Sequence, residues 1–297
     1  LWILGLDIDE SIELNDGYSI KTIADMPDSD EKEYFSKIHV SHLFGTNLPK
    51  CAITKWQKID KVRANSHGAP TKLMDDYHSC CGKLYELAFI LNSVSGVTCV
   101  PYMQTAYRPA TTPIGYFGAS GGGSAIFDVS TLTLSKISAT SAKAINSMFF
   151  HFQSKSESEK ARLQLILSRL SQAKRRMQIE DKILDLGIAL EMLLLEENEK
   201  DQLSLQFRIR GSWLLGQSFE DRLEKSKLFN QIYDARSSVA HSGALHRTNP
   251  KKLEVVRENL NKYIELAEAT IQKIIVEGSP SWDSIMLKGL PAQSNPA

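Results

Sequence analysis

Arg236 and His241 stand five positions apart in the stretch Tyr233–Gly243, read Y-D-A-R-S-S-V-A-H-S-G, with Ser237 and Ser238 between them. These residue types suit phosphodiester cleavage without a metal. Histidine, with a reference pKa of about 6.5, can take the proton of a ribose 2′-hydroxyl and return one to a leaving 5′-oxygen. Arginine keeps its charge, and its planar fork donates two hydrogen bonds to a phosphate. On an ideal helix, residues five apart diverge by about 140°, so the pair does not share one face. Two arrangements would join them. Gly243 could end the helix so that His241 lies in a fraying last turn and bends toward the arginine. Alternatively, two copies of each residue could converge across a dimer axis. The plainer alternative has His241 capping helix carbonyls and Arg236 paired with Glu191 or Asp234.

The elements that must position this stretch are helices. From residue 154 glycine becomes sparse and helical periodicity takes over. Ser154 or Ser156 can cap a first helix, with Glu157 and Glu159 in its opening turn and Leu163, Ile166, Leu167 and Leu170 on its apolar face. Lys174, Arg175 and Arg176 close it. They read as a solvated helix end suited to the negative end of the dipole, with RNA contact as the alternative. A second helix over about 178–197 carries Ile179, Ile183, Leu186, Leu190, Leu193 and Leu194. Glu191 sits within that stripe, where a carboxylate needs a partner or an opening. A third covers about 203–216 with Arg208 and Arg210, and a fourth about 219–240 with Arg236. A fifth, about 250–277, has Pro250 in its first turn. Its seam of Leu253, Val256, Leu260, Tyr263, Ala267, Ile271 and Ile274 suits packing within the domain or against a second copy. In the tail, Trp282, Ile285, Met286 and Leu287 are placed to dock on the body, and the last residues read as disordered.

On these residues the chain resembles the HEPN superfamily, whose hallmark is an arginine, a spacer of about four to six residues and a histidine. Arg236-Ser237-Ser-Val-Ala-His241-Ser-Gly243 is similar to the ApeA-like branch, where an R-S-x-x-x-H-G type motif closes a helix. The I-A-L-E191-M-L-L helix and the helix with Arg210 also resemble that branch. The similarity covers about residues 155–277. Ser242 departs from the pattern, standing where many relatives run histidine directly into glycine. The resemblance implies a helical bundle that pairs as a homodimer through the C-terminal helices. It also implies a metal-independent endoribonuclease of the toxin or antiphage-defence (abortive infection) type, with its site in the dimer cleft. By motif position, His241 would be the acid/base and Arg236 the phosphate-binding and transition-state group. Ser237 would support the site, and Glu191 and Arg210 would orient the pair.

The N-terminal half reads differently. Trp2–Ile8 suggests one strand, Asn15-Asp16-Gly17 a turn, and Tyr18–Ile23 an alternating strand. Met26–Tyr34 reads as an exposed loop or a short capped helix, Cys51–Trp56 as a strand and residues 70–95 as a helix. Gly115–Ser124 lacks the Gly-Lys-Ser/Thr of a phosphate loop and reads as a surface hairpin or loop, with β character resuming at Ile126, Val129, Leu132 and Leu134. His78, Cys80 and Cys81 form no second cluster with His67 or Cys99 and read as a packed helix face, not a zinc site. The expected fold class is therefore α+β: a mixed α/β domain over 1–150, an all-α HEPN-like bundle over 151–278 and a tail over 279–297. No cofactor and no metal are expected.

Composition limits what the chain can do. Lys+Arg and Asp+Glu are both 35 in 297 residues, so bulk electrostatics does not recruit RNA and any contact must be local. The four cysteines show no disulfide spacing and read as free thiols of a cytoplasmic protein. No apolar run suits a membrane helix, and Leu1–Gly5 lacks the basic flank of a signal peptide. Two readings result. The first is an RNA-cutting effector whose N-terminal domain senses a phage-derived or other trigger. The second is a non-catalytic dimerisation or nucleotide/RNA-binding module.

Overall fold

The computed structural model describes residues 1–37, 48–58, 71–106, 134–196, 201–245 and 250–287. The chain divides into two compact units, Leu1–Phe150 and His151–Ala297, and the fold class is α+β.

In the first unit β1 (Trp2–Leu4) and β2 (Leu6–Ile8) replace the single expected strand. Gly5 between them has φ 76°, a left-handed turn of the backbone that sends β2 out of the sheet holding β1. β3 (Ile12–Glu13) and β4 (Tyr18–Thr22) flank the Asn15-Asp16-Gly17 turn, in which Asp16 and Gly17 have φ 57° and 71°. With β5 (Cys51–Lys55) and β6 (Val100–Met103) they form an antiparallel sheet in the order β3-β4-β5-β1-β6. β2 pairs in parallel with β7 (Ser135–Ile137).

The Met26–Tyr34 stretch resolves as a capped helix, α1 (Asp30–Lys37), whose start is held by the Ser29 hydroxyl accepting from the Lys32 N–H at 3.1 Å. α2 (Thr71–Leu91) buries Leu84, Leu87, Ala88, Ile90 and Leu91. At its end Asn92 donates to the carbonyls of Ala88 and Cys99 and accepts from the Cys99 N–H, which ties the helix to the start of β6. His67, Gly115–Ser124, Ile126, Val129 and Leu132 lie outside the described residues. Cys51, Cys80, Cys81 and Cys99 form no disulfide, and among the described residues no group of three His, Cys, Asp or Glu side chains is placed to hold a metal. No described helix is long and apolar enough to cross a membrane. The division between the units falls inside α3 (Ala142–Gln153).

The second unit is a helical bundle: α4 (Glu157–Arg175), α5 (Ile179–Leu194), α6 (Leu203–Leu215), α7 (Phe219–Ser242), α8 (Pro250–Glu277) and α9 (Trp282–Leu287). α4 starts in a capping box: Ser156 accepts from the Glu159 N–H and Glu159 accepts from the Ser156 N–H. The α8 seam turns inward. Val256, Tyr263, Ala267, Ile271 and Ile274 are buried within the single chain, so this stripe is spent on the bundle's own core. α9 rests on α6, where the buried Trp282 ring lies under the Arg210 guanidinium at 5.2 Å.

The basic triplet closing α4 is not a solvated end. Lys174 is buried and paired with buried Glu268 of α8. Arg175 donates to the Ser171 carbonyl, and Arg176 bonds Asp185 at 3.2 Å. Asp185 is itself buried and also holds Arg169 at 2.8 Å. A cation at a helix terminus is solvated only if no neighbouring helix covers it, and here α5 and α8 supply carboxylates.

Candidate functional site

α7 places Arg236 and His241, and two glycines set how it sits. Phe229 and Arg236 are one heptad apart, so they lie on nearly the same face of α7. Each side chain meets a glycine on a neighbouring helix. A Cβ on Gly211 of α6 would fall 2.5 Å from the Phe229 ring, and one on Gly187 of α5 would fall 2.7 Å from the Arg236 Cβ. Only bare backbone lets α7 come this close. Phe229 is fully buried, and its ring stands 5.7 Å from that of Phe207.

Glu191 follows Gly187 by four residues on α5 and so lies one turn along the same face. The Arg236 stem crosses Gly187, and its Nη2 meets the Glu191 Oε2 at 2.6 Å, with the side chains 28% and 18% exposed. Burial raises the Glu191 carboxyl above its ordinary value, and the Arg236 charge pulls it back only in part. Tyr233 completes the cluster, its hydroxyl pushed up by burial and then by the Glu191 charge. The Arg236 Nε is buried without a hydrogen-bond acceptor among the described residues.

His241 is elsewhere. α7 stays helical through Ser242, where the Gly243 N–H still donates to the Val239 carbonyl at 2.8 Å, and Gly243 ends the helix with φ 72°. The expected fraying and bending of His241 does not occur. On this continuous helix the two side chains diverge by about 140°. Arg236 faces α5, while His241 is exposed and makes no hydrogen bond or ion pair among the described residues. It caps no carbonyl.

The supporting residues separate as well. Ser237 is half-buried on α7 between the two faces. Arg210 is buried and donates to the Leu194 carbonyl at 2.9 Å, closing the C-terminus of α5 one turn beyond Glu191. A single chain therefore joins Glu191 to Arg236 and leaves His241, Ser237 and Arg210 outside that pair.

Sequence reasoning missed Gly187 and Lys252. Gly187 had a signal, since a glycine inside a helix of strong formers costs about 1 kcal/mol against alanine and marks a close approach. Lys252 had only its place in the acid-free first turn of α8, which does not say what the side chain meets. Its ammonium reaches back to the Ser238 hydroxyl at 2.5 Å and the Asp234 carbonyl at 2.8 Å. Asp234, Ser238 and His241 recur at spacings of four and three, which puts all of them on the outer face of α7.

Compared with known proteins, the chain finds no match: no family model, no curated protein and no solved structure resembles it.

Proposed function

We propose that the helical unit is a metal-independent endoribonuclease of the HEPN type, working as a homodimer. In this reading His241 takes the proton of a ribose 2′-hydroxyl as the 2′-oxygen bonds to phosphorus. It then returns a proton to the 5′-oxygen as the phosphorus–5′-oxygen bond breaks. Arg236 holds the phosphate and offsets the charge that builds on it. The observation that supports this best is the unequal state of the two groups. His241 is exposed with both ring nitrogens uncommitted among the described residues, whereas Arg236 is fixed by Gly187 and Glu191 with a buried Nε that lacks an acceptor. Because the two side chains diverge on one helix, the site requires the arginine of one copy near the histidine of the other. The first unit would then sense a trigger, phage-derived or other. The family resemblance alone supports a role in antiviral defence.

The test is incubation of the purified protein with single-stranded RNA in EDTA. Cleavage is expected, with His241→Ala and Arg236→Ala each reducing it at least about a hundredfold while the far-UV spectrum is unchanged. Undiminished cleavage by His241→Ala would remove that residue from the mechanism.

A second reading, a non-catalytic binding or dimerisation module, is favoured by the ion pair itself. Arg236 already has a carboxylate partner in the single chain. That reading predicts no RNA turnover, and expression toxicity that is absent or unaffected by losing either residue.

A further inference from the structure

We propose that Lys252 is the phosphate-holding residue of the His241 face, so that each protomer offers a phosphodiester its own cation beside its own histidine. The proposal rests on the reading of His241 as the proton-transfer group and adds to it a ligand contact that Arg236 does not make from the same chain.

Three observations carry it. First, placement: Lys252 bonds the Ser238 hydroxyl at 2.5 Å, and Ser238 lies three residues before His241, on the same face of α7. The ammonium is thus bonded to the residue one helical turn before His241 on that face, on the opposite side of α7 from Arg236. Second, charge: the acceptors that hold Lys252 are a hydroxyl and a carbonyl, both neutral, so its charge has no bonded carboxylate among the described residues. Asp234 lies on that face too, and its Oδ2 accepts from the Asn230 amide at 2.9 Å. Third, electrostatic misfit: Lys252 occupies the first turn of the 28-residue α8, and that turn holds no acidic residue. Cations at the positive end of a helix are repelled by its dipole. Glu157 and Glu159 open α4 and Glu220 and Asp221 open α7, as the dipole favours, while the first turn of α6 holds neither acid nor lysine. A bound anion would relieve the repulsion at α8, because the dipole and the ammonium would then both attract the same charge. Ser238, already bonded to Lys252, stands ready to donate its hydroxyl proton to a phosphate oxygen in exchange for its bond to the Asp234 carbonyl.

The probe is a 2′-deoxy dinucleotide, which carries one phosphodiester and lacks the attacking hydroxyl, so binding is read without turnover. It is titrated into the full-length protein with the His241 imidazole observed by NMR. The His241 signals are expected to shift on binding, with Lys252→Met weakening the affinity at least about tenfold and Lys252→Arg keeping it within about threefold. Lys262→Met, a charge loss at an exposed position of the same helix, is expected to leave it unchanged. Equal effects of Lys252→Met and Lys262→Met, or none from Lys252→Met, overturn the proposal. Should Lys252→Met fail to fold, Lys252→Gln keeps a donor to Ser238 without the charge and is expected to show the same loss. Binding at His241 that depends on Lys252 without any RNA cleavage would sink the nuclease reading and leave this site standing. Cleavage by a protein whose binding ignores Lys252 would do the reverse.

Discussion

Arg236 lies on the bare backbone of Gly187, and that absence of a side chain is what lets its guanidinium reach Glu191 one turn further along α5. An alanine at 187 would gain about 1 kcal/mol of helix propensity. Its methyl would also press on the Arg236 Cβ, an atom too close to the α7 backbone to swing aside. Overpacking of this kind costs about 1–3 kcal/mol. Gly187→Ala is therefore expected to lower stability by about 1 kcal/mol net and to break the ion pair. Urea denaturation checks the first outcome and a crystal structure of the variant the second. A variant as stable as the wild type with the pair intact would show that α7 can retreat without cost.

Glu191 gives the bundle a pH dependence of definite sign. Burial raises its carboxyl above 4.5, so the folded state binds that proton more tightly than the unfolded chain. The resulting stability is fully present below about pH 4.5 and is lost as pH rises through the raised folded value. Glu191→Gln should flatten this part of the profile. Arg236→Met removes the opposing attraction, raises the carboxyl further and should extend the loss to higher pH. Glu268 is shifted in the same direction by its burial and leaves a residual slope. Urea midpoints measured between about pH 4 and pH 8 decide, and superimposable wild-type and Glu191→Gln curves would contradict the assignment.

Lys174 and Glu268 form a buried pair in which each group depends on the other. Lys174→Met alone strands a buried carboxylate and should cost about 3–5 kcal/mol. Lys174→Met combined with Glu268→Leu replaces both charges with apolar groups and should recover most of that loss. The double-mutant cycle is read by urea denaturation at neutral pH. Additive losses would mean that the two side chains act independently.

Mixed dimers test whether the proposed nuclease site is shared between copies. Arg236→Ala and His241→Ala, each inactive alone, should regain about a quarter of wild-type cleavage when refolded together. About half of the dimers are then mixed, each with one intact composite site of two. No recovery, with subunit exchange verified, would place both residues in one protomer.

Much of the second unit is legible in its sequence because helices announce themselves locally. Ser156, one of the two expected capping serines, starts α4, Pro250 opens α8, and residues of the expected α8 stripe are buried. In the first unit the Asn15-Asp16-Gly17 turn reads correctly, whereas the break at Gly5 does not. An apolar run such as Trp2–Ile8 carries no mark of a strand that changes sheets.

The candidate site divides in the same way. Residue types and spacing alone determine that Arg236 and His241 point in different directions on an unbroken helix, and Gly243 alone marks where that helix ends. Their surroundings depend on the packing. Gly187 beneath Arg236, Arg210 on the Leu194 carbonyl, Lys174 against Glu268 and Lys252 beside Ser238 each join residues of different helices. Periodicity ranks the faces of a helix by polarity but does not say which neighbour each face meets. That choice belongs to close packing, where a missing Cβ or a buried charge on another helix decides which side chain is held and which is left exposed.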